Sequence, residues 1–425
     1  MLVIELNEFN PDYLKREAYK LNLRNILFFL KFKHSYTFTK EEKEHHGLDP
    51  WVQWVSIHSG RPFSEHKVGR LGQTKIQNNP QIWNRLSNIN STRWGVWGVM
   101  NAPCGGSMGR NFFVPDPWSF DEEAHPEELN NFLRLPKYIA KNYLSPIKKE
   151  LLSSGLITLS FILRNLGNGI NRKILRQFMK AIYITGINIH SLTTLMDYVS
   201  CLYFLKFSKS YDNDFKIIFL NHLAHLQHHF WNLDELSSQM KFGLIICDQI
   251  LGEIKKEIKP DESIIILNGF RQKNVAQKGH FVYRQKDPLN FIREICPVFC
   301  KVEQNMTHDG FLLFKNSLDL DKAEKLLKNI KLKIKKNKLL FIEKIDKKTL
   351  FYQLDIYEKI DAKEKILLPD KEIEFFEYIE VVAERTGAHI QIGDIYSRNI
   401  DFPEKIENHE VFKYIENNFI EKSNI

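Results

Sequence analysis

A short apolar run that ends in a cluster of histidines constrains the fold most strongly. The run Phe215 to Leu220 (FKIIFL) is rich in isoleucine and phenylalanine, which is typical of a buried strand. The next residues, NHLAHLQHHFW, hold four of the chain's 15 histidines within eleven positions. Open α/β sheets place their binding sites at strand ends. We therefore expect a buried strand that leads into a helical turn or loop carrying functional side chains.

Two of these histidines have a spacing that suits metal binding. If the stretch is helical, His225 and His229 are four residues apart and lie on one face, so two imidazoles can share one ion. The alternative is that both are half-buried packing residues beside Phe230 and Trp231. A third ligand from elsewhere in the chain would decide between these interpretations.

Strand-like and helix-like patterns alternate along much of the chain. Residues 1–9 and 33–39 are predicted as strands, with a helix from 11 to 32 between them. Residues 93–99 (RWGVWGV) and the run SIIIL at 263–267 are predicted as further strands. This alternation predicts an α/β fold with a mainly parallel central sheet flanked by helices.

The pattern changes to a long helical region at residues 120–210. We interpret this region as an inserted cap, so that residues 1–119 and 211–425 form the first and second parts of the α/β core. Basic residues between Arg172 and Lys180 lie among apolar ones, and such a helix could make peripheral contact with a membrane or partner. The alternative, a helix that covers the sheet, is the more common case.

Composition limits the classes of protein that fit. The chain has 425 residues, of which 43% are hydrophobic, enough for one large domain with insertions or for two domains. The net charge of +8 is compatible with an anionic substrate. We expect much of the excess to lie on a solvated face that includes the lysine-rich residues 331–348. With no C-x-x-C pair or compact basic helix, nucleic acid is not an expected partner. The oligomeric state is left open.

Cysteine usage and the first residues indicate a compartment. The five cysteines are odd in number, and MLVIELN opens the chain as a strand rather than as a signal peptide. The longest apolar stretch, residues 151–163, contains three serines and is too short to cross a bilayer. We therefore expect a cytoplasmic location.

Five segments of the chain follow one another in an informative order. They are VIELNE at 3–8, WVSIHSGRPFSEH at 54–66, HLQHHFW at 225–231, ILNGF at 266–270 and GAHIQIG at 387–393. Together they resemble the type I phosphodiesterase and nucleotide pyrophosphatase branch of the alkaline phosphatase superfamily. The resemblance covers most of the chain outside the helical region, and it implies an alkaline phosphatase-like fold.

The resemblance also implies a metal site. Members of that family hold two zinc ions, and the first-site positions fall on His225, His229 and His389, with His225 in place of an aspartate. The second-site positions fall on Asn7, Leu267 and Asn268, none of which keeps the family's ligand. Near residues 49–50, where the nucleophile is expected, there is no hydroxyl. The resemblance therefore implies one Zn²⁺ bound by three histidines.

A mononuclear zinc site of this kind predicts an enzyme of a broad class. Zinc on neutral ligands lowers the pKa of bound water to about 7 and polarises phosphoryl or sulfuryl oxygens. We expect a hydrolase or transferase that acts on an anionic phospho- or sulfoester, with a surface-glycan or lipid-linked precursor as one candidate. The alternative is an inactive, phosphodiesterase-like scaffold or regulatory protein.

Other polar residues near these motifs are candidates for supporting roles. Glu5 or Glu8 could act as a general base, and the alternative is that both are solvated carboxylates at a strand end. Three amides could donate hydrogen bonds to substrate oxygens: Asn7, Gln53 and Asn268. Ser56 is the hydroxyl nearest the lost nucleophile, and His222 and His228 are expected to serve as packing or supporting residues.

Overall fold

The computed structural model describes residues 1–41, 48–74, 80–89, 92–105, 108–142, 147–186, 188–305 and 308–423, without the side chains of residues 168, 278 and 423. These residues form two units. One comprises Met1–Asn274 and Ala388–Ile425, and the other comprises Val275–Gly387. The sequence division at residues 119 and 210 falls inside the first unit, and it did not set the second unit apart.

The elements are numbered in chain order. The strands are β1 (Leu2–Leu6), β2 (Lys33–Phe38), β3 (Trp94–Trp97), β4 (Phe112–Val114), β5 (Phe215–Leu220), β6 (Ile264–Leu267), β7 (Arg271–Asn274), β8 (His280–Gln285), β9 (Lys301–Gln304), β10 (Asp309–Leu313), β11 (Lys331–Leu332), β12 (Leu340–Lys344), β13 (Thr349–Leu354), β14 (Lys365–Leu367), β15 (Glu372–Glu374), β16 (Ile379–Arg385), β17 (Gly387–Ile390), β18 (Ile392–Arg398) and β19 (Lys405–Glu407). The helices are α1 (Pro11–Leu21), α2 (Arg24–Phe29), α3 (Pro50–Ser59), α4 (Phe63–His66), α5 (Ile82–Ser87), α6 (Asn130–Lys141), α7 (Lys148–Asn165), α8 (Gly167–Thr185), α9 (Ile189–Tyr211), α10 (His222–Phe230), α11 (Ser238–Glu257), α12 (Pro288–Ile295), α13 (Ser317–Leu327), α14 (Phe375–Tyr378) and α15 (Val411–Ser423).

The first unit is built on a sheet of eight described strands, in the order β19-β2-β18-β6-β1-β5-β3-β4. The five strands from β6 to β4 are mutually parallel, and β18 runs antiparallel between β6 and β2. Helices cover both faces, and an apolar core lies on each side of the sheet. The predicted fold class, a mainly parallel sheet flanked by helices, is confirmed.

The central strands lie where the apolar runs predict them. All residues of β1 (LVIEL) and β6 (IIIL) are buried, as is expected for strands covered on both faces. Because β1 lies between β5 and β6 and runs parallel to both, the carboxyl ends of the three strands meet at one edge of the sheet. The polar residues that follow each strand are thereby brought together.

The helix predicted for residues 11–32 is divided into α1 and α2. Asn22 ends α1 in the left-handed conformation, with φ of 54°, which asparagine tolerates better than most residues. Its backbone N–H donates to the carbonyl oxygens of Ala18 and Tyr19. The hydrophobic pattern continues across the break, so the pattern alone did not reveal it.

The second unit combines small antiparallel sheets with helices. Its largest described sheet has the order β12-β13-β10-β9, and β8 pairs with β16 in a separate antiparallel ladder. The unit has an apolar core of its own, which includes Leu312 and Tyr352. No helix among the described residues of either unit is long and apolar enough to cross a membrane. The expected cytoplasmic location stays a prediction.

Gly393 allows β18 to approach the loop that follows β6. A Cβ at this position would lie 2.4 Å from Thr37 Oγ1 and 2.9 Å from the carbonyl oxygen of Gly269. We expect Gly393→Ala to lower the free energy of unfolding by about 1–3 kcal/mol, because backbone must move to admit the methyl group. Gly155→Ala on α7 is the control, since its Cβ meets nothing within 4 Å, and it should be neutral or stabilising. Thermal unfolding measures both variants, and equal midpoints for Gly393→Ala and Gly155→Ala would show that Gly393 is not required for this close approach.

Candidate metal centre

Glu8 stands at the carboxyl end of β1 in an unusual backbone conformation. Its φ is 54°, in the left-handed region that side-chain-bearing residues rarely adopt. Its N–H donates to Asn268 O at 2.9 Å, and its carbonyl oxygen accepts from Gln227 Nε2 at 3.0 Å and from Gln272 N at 3.2 Å. Strained residues of this kind persist where neighbours hold them, and they cluster at functional sites.

The Glu8 carboxylate lies between two imidazoles. Glu8 Oε2 is 3.0 Å from the Nε2 atoms of both His228 and His389. Gln272 Nε2 donates to the same oxygen at 2.6 Å, and Asn7 Nδ2 donates to Oε1 at 2.9 Å. Burial alone would raise the pKa of the Glu8 carboxyl, but His389 and His228 hold it well below its usual value. Glu8 is therefore a buried anion that faces two nitrogen donors.

The hydrogen bond on the far side of the His389 ring sets its tautomer. His389 Nδ1 is 3.0 Å from the carbonyl oxygen of Leu48, which can only accept, so Nδ1 carries the proton. A protonated ring donates from Nε2 to the Glu8 carboxylate, and this is the form that lowers the pKa of Glu8. A neutral ring, the form that binds a metal, has instead an Nε2 lone pair directed at Glu8 and His228. A backbone carbonyl that orients a histidine in this way is a common support for metal ligands.

The spacing of the three ligand atoms fits one metal ion. The Nε2 atoms of His228 and His389 are 3.3 Å apart, and each is 3.0 Å from Glu8 Oε2. Ligands at 2.0–2.1 Å from a tetrahedral zinc ion are about 3.3 Å from one another. Among the described residues, this is the one group of three or more histidine, cysteine or acidic side chains that meets such a spacing. Two imidazoles and a carboxylate also form a donor set used by catalytic zinc sites.

The structure divides the three predicted metal ligands between two clusters. His389 joins Glu8 and His228, as described above, whereas His225 and His229 lie beside His190. His190 Nδ1 is 2.8 Å from His225 Nε2, and the ring centroids of His225 and His229 are 4.9 Å apart. Burial lowers the pKa of His190, which favours the neutral form of that ring.

Asn7 links the carboxylate to two neighbouring elements. Its Nδ2 donates to Glu8 Oε1 and, at 2.8 Å, to Asn221 Oδ1, while its Oδ1 accepts from Trp54 Nε1 at 2.7 Å. All the strong hydrogen-bonding groups of this buried amide are occupied within the protein. Asn7 therefore positions Glu8, and a hydrogen bond to substrate would require one of these bonds to break.

Asn268 is occupied in the same way. Its Nδ2 donates to Phe9 O at 2.9 Å and to Asp394 Oδ2 at 3.0 Å, and its Oδ1 accepts from Asp394 N at 2.7 Å. The side chain thus fastens the loop after β6 to β1 and β18. Its own carbonyl oxygen holds the N–H of Glu8.

Glu5 and Gln53 are enclosed within the protein. Glu5 is fully buried within β1, where its Oε1 is 2.5 Å from His58 Nε2 on α3. Burial raises the pKa of the Glu5 carboxyl, against a lowering by His58. Gln53, also buried, accepts a hydrogen bond from Asn408 Nδ2 at 2.7 Å. Both side chains therefore have hydrogen-bonding partners within the protein, and their predicted catalytic roles stay predictions.

Ser56 is a hydrogen-bond acceptor from His66. His66 Nδ1 accepts from Val68 N at 3.0 Å, so Nε2 carries the proton and donates to Ser56 Oγ, also at 3.0 Å. Burial, with a smaller effect of Lys67, lowers the pKa of His66 to about 4. Since the nitrogen that faces Ser56 already carries its proton, His66 cannot act as a base toward that hydroxyl.

From the sequence, Glu8 is expected as a possible general base and His228 as a packing or supporting residue, and neither is expected as a metal ligand. The i, i+4 spacing favoured His225 and His229, and that spacing cannot show which face of a short helix points at the strand ends. One further signal was available for Glu8, because it directly follows the first strand of a parallel sheet. For His228 the sequence carries no comparable signal.

Comparisons with known proteins find structural similarity at low sequence identity. No family model matches the chain, and no curated protein matches it in sequence. Phosphonoacetate hydrolase from Sinorhizobium meliloti, solved with phosphonoformate, is similar to this chain with a TM-score of 0.47 and 11% identity, covering 98% of this chain and 95% of that one. Human ectonucleotide pyrophosphatase/phosphodiesterase 5 gives a TM-score of 0.48 at 10% identity, covering 99% and 94%. Alkaline phosphatase from the Antarctic bacterium TAB5 gives 0.41 at 10%, covering 98% and 97%.

A buried ion pair beside the site provides a test of its surroundings. Asp394, fully buried on β18, accepts from Arg271 Nη2 at 2.6 Å and Nε at 2.7 Å. Burial would raise the pKa of Asp394, but hydrogen bonds from His34 and Arg271 and the charge of Arg271 lower it. Because the pKa of Asp394 is lower in the folded protein than in the unfolded chain, where it is about 3.9, its ionised form stabilises the fold at pH values above about 3.9. This stabilisation is lost as the pH falls through the pKa of the folded state.

We expect Arg271→Met to lower the free energy of unfolding at pH 7 by about 2–3 kcal/mol, because it leaves a buried carboxylate without its main partner. The difference from the parent should shrink as the pH falls below about 4. Denaturant unfolding across this range measures it. The control is Arg85→Met, which breaks an exposed pair with Glu416 at 2.7 Å and should cost less than about 1 kcal/mol. A loss for Arg271→Met that is equal at every pH would contradict the account.

Proposed function

We propose that this chain, whose core is an α/β fold with a mainly parallel sheet, is a metal-dependent phosphoester hydrolase of the alkaline phosphatase superfamily. Glu8, His228 and His389 hold its metal ion in this proposal. The observation that carries it is the convergence of two imidazole nitrogens and a carboxylate oxygen, 3.0 to 3.3 Å apart, at the carboxyl end of a parallel sheet. Zinc is the ion that this donor set fits best.

The chain's own residues set up the site before any substrate arrives. Gln272 and Asn7 orient the Glu8 carboxylate, and Leu48 fixes the tautomer of His389. A zinc ion held by these groups would lower the pKa of a bound water and polarise a phosphoryl oxygen. Because Asn7 and Asn268 are engaged around Glu8, we assign them positioning roles. Ser56, which accepts from His66, takes no part in the reaction.

The finer parts of the proposal concern the substrate and the reaction. We propose a small anionic substrate, with phosphoesters ahead of sulfoesters and with surface-glycan or lipid-linked precursors as one candidate class. Either water or an acceptor hydroxyl can take the attacking position, so hydrolysis and group transfer are separated by whether an added alcohol changes the product. The proposal needs neither the three-histidine set with His225 and His229 nor a second ion.

Metal content tests the ligand set directly. We expect about one equivalent of zinc in the purified parent, and at least about tenfold weaker zinc affinity in His228→Ala, His389→Ala and Glu8→Gln, because each removes one of three ligands. The matched control is the double variant His225→Ala, His229→Ala on the same helix, which should keep its zinc. Titration with a chromophoric chelator measures all five proteins. Loss of zinc in the double variant alone would favour the other histidine cluster, and a parent that binds no zinc would overturn the proposal.

Activity tests the chemistry. We expect the zinc-loaded parent to hydrolyse an aryl phosphoester, and Glu8→Gln to lower kcat/KM by about a hundredfold or more, because the ion is displaced or lost. Ser56→Ala should keep activity within about threefold, since its hydroxyl serves only as a hydrogen-bond partner inside the protein. A panel of aryl phosphomonoesters, phosphodiesters and sulfates provides the measurement. Uniform inactivity of a zinc-loaded parent would contradict the proposal, as would a Ser56→Ala variant as inactive as Glu8→Gln.

A further inference from the structure

The positive charge of the chain is concentrated in one helical segment. Residues 130–186 hold ten of the 60 lysines and arginines but one of the 52 acidic residues, Glu150. Because the whole chain has a net charge of +8, the remaining sequence is close to neutral. Residues 331–348 were expected to carry much of the excess positive charge, but acidic side chains partly offset their lysines. Lys333 pairs with Glu372 at 2.7 Å and Lys335 with Glu358 at 2.8 Å.

Helix α7 directs its leucines away from the rest of the protein. Its inner side makes polar contacts, in which Thr158 Oγ1 accepts from Leu135 N and donates to Asn131 O, both at 3.1 Å. Its outer side carries four leucines, three or four residues apart and 51% to 65% exposed: Leu152, Leu156, Leu159 and Leu163. Residues at this spacing form one stripe along a helix. Packing within the described part of the chain does not cover that stripe.

Helix α8 combines exposed apolar residues with basic ones. Leu175, Met179 and Tyr183 are 59%, 57% and 92% exposed, at spacings of four residues. Three basic residues share this four-residue spacing: Arg172, Arg176 and Lys180. Arg172 lies one turn before Leu175, Arg176 directly follows Leu175, and Lys180 directly follows Met179. The helix contains no acidic residue. Twelve of the 23 large apolar side chains that are exposed among the described residues lie between residues 147 and 192.

We propose that α7 and α8 dock the protein on an anionic lipid surface. Helices that lie in a membrane interface bury apolar side chains at the headgroup boundary, and their lysines and arginines attract acidic lipids. The two outer faces offer both features. A second copy of this chain is a poorer fit, because it would bring the same basic residues face to face. The metal centre described above plays no part in this inference.

Vesicle binding tests the proposal with the full chain. We expect the protein to sediment with vesicles of phosphatidylcholine that contain roughly one third phosphatidylglycerol, with a partition coefficient at least about tenfold above that for phosphatidylcholine alone. Because exposed charges are screened by salt, binding should weaken between low and high ionic strength. Equal binding to both vesicle types, or none to either, would overturn the proposal.

Matched variants separate this surface from overall charge. The triple variant Arg172→Glu, Arg176→Glu, Lys180→Glu should lose at least about tenfold in partition coefficient. Its control reverses three exposed lysines of the second unit and changes the net charge equally: Lys322→Glu, Lys325→Glu, Lys338→Glu. Leu156→Ser should also weaken binding, whereas Leu318→Ser, at a leucine 71% exposed on α13, should not.

Two outcomes of this series would count against the lipid surface. One is that both charge variants lose binding alike, which would show a general effect of charge. The other is that sedimentation velocity finds a dimer of the parent that Leu156→Ser dissociates, which would assign α7 to a contact between two copies. Zinc content should match that of the parent in every variant, so the outcome is independent of the proposed hydrolase.

Discussion

The left-handed backbone of Glu8 is the constraint on which the candidate site depends. Its N–H is held by the loop after β6, and its carbonyl oxygen is held by Gln227 of α10 and by the backbone of β7. These elements follow or neighbour β1, β5 and β6, which are adjacent and parallel. The sheet thus brings three chain segments to one point, and their hydrogen bonds support a conformation that a lone strand end would relax.

The fold was largely predictable because buried central strands have continuous apolar sequences. The runs LVIEL, FKIIFL and IIIL are apolar throughout, and each forms a central strand. The site was less predictable for a geometric reason. Successive residues on a helix are rotated by about 100°, so His228 and His229 point in different directions although they are neighbours in sequence. Which of the two histidines faces the strand ends depends on how α10 packs against α9 and α11, and the helical spacing alone does not show this.

Supporting residues were the hardest to predict, since their roles depend on which hydrogen bonds are already made. Ser56 and Asn268 have side chains that suit catalysis, yet the structure shows Ser56 accepting from a protonated nitrogen of His66 and Asn268 fully occupied by Phe9 and Asp394. Sequence shows which groups can donate or accept but not which are already used. Surface charge is limited in the same way, because the sequence does not show which lysines form ion pairs with acidic residues.

The place where the second unit is inserted has a consequence for how such a chain can change. Strand β7 ends at Asn274 and strand β17 begins at Gly387, and these two strands pair with each other. Residues 275–386 therefore form a connection of domain size between two paired strands. A related chain could carry a short loop there, or an unrelated module, and the strand that holds His389 would still pair with β7 and bring His389 beside Glu8.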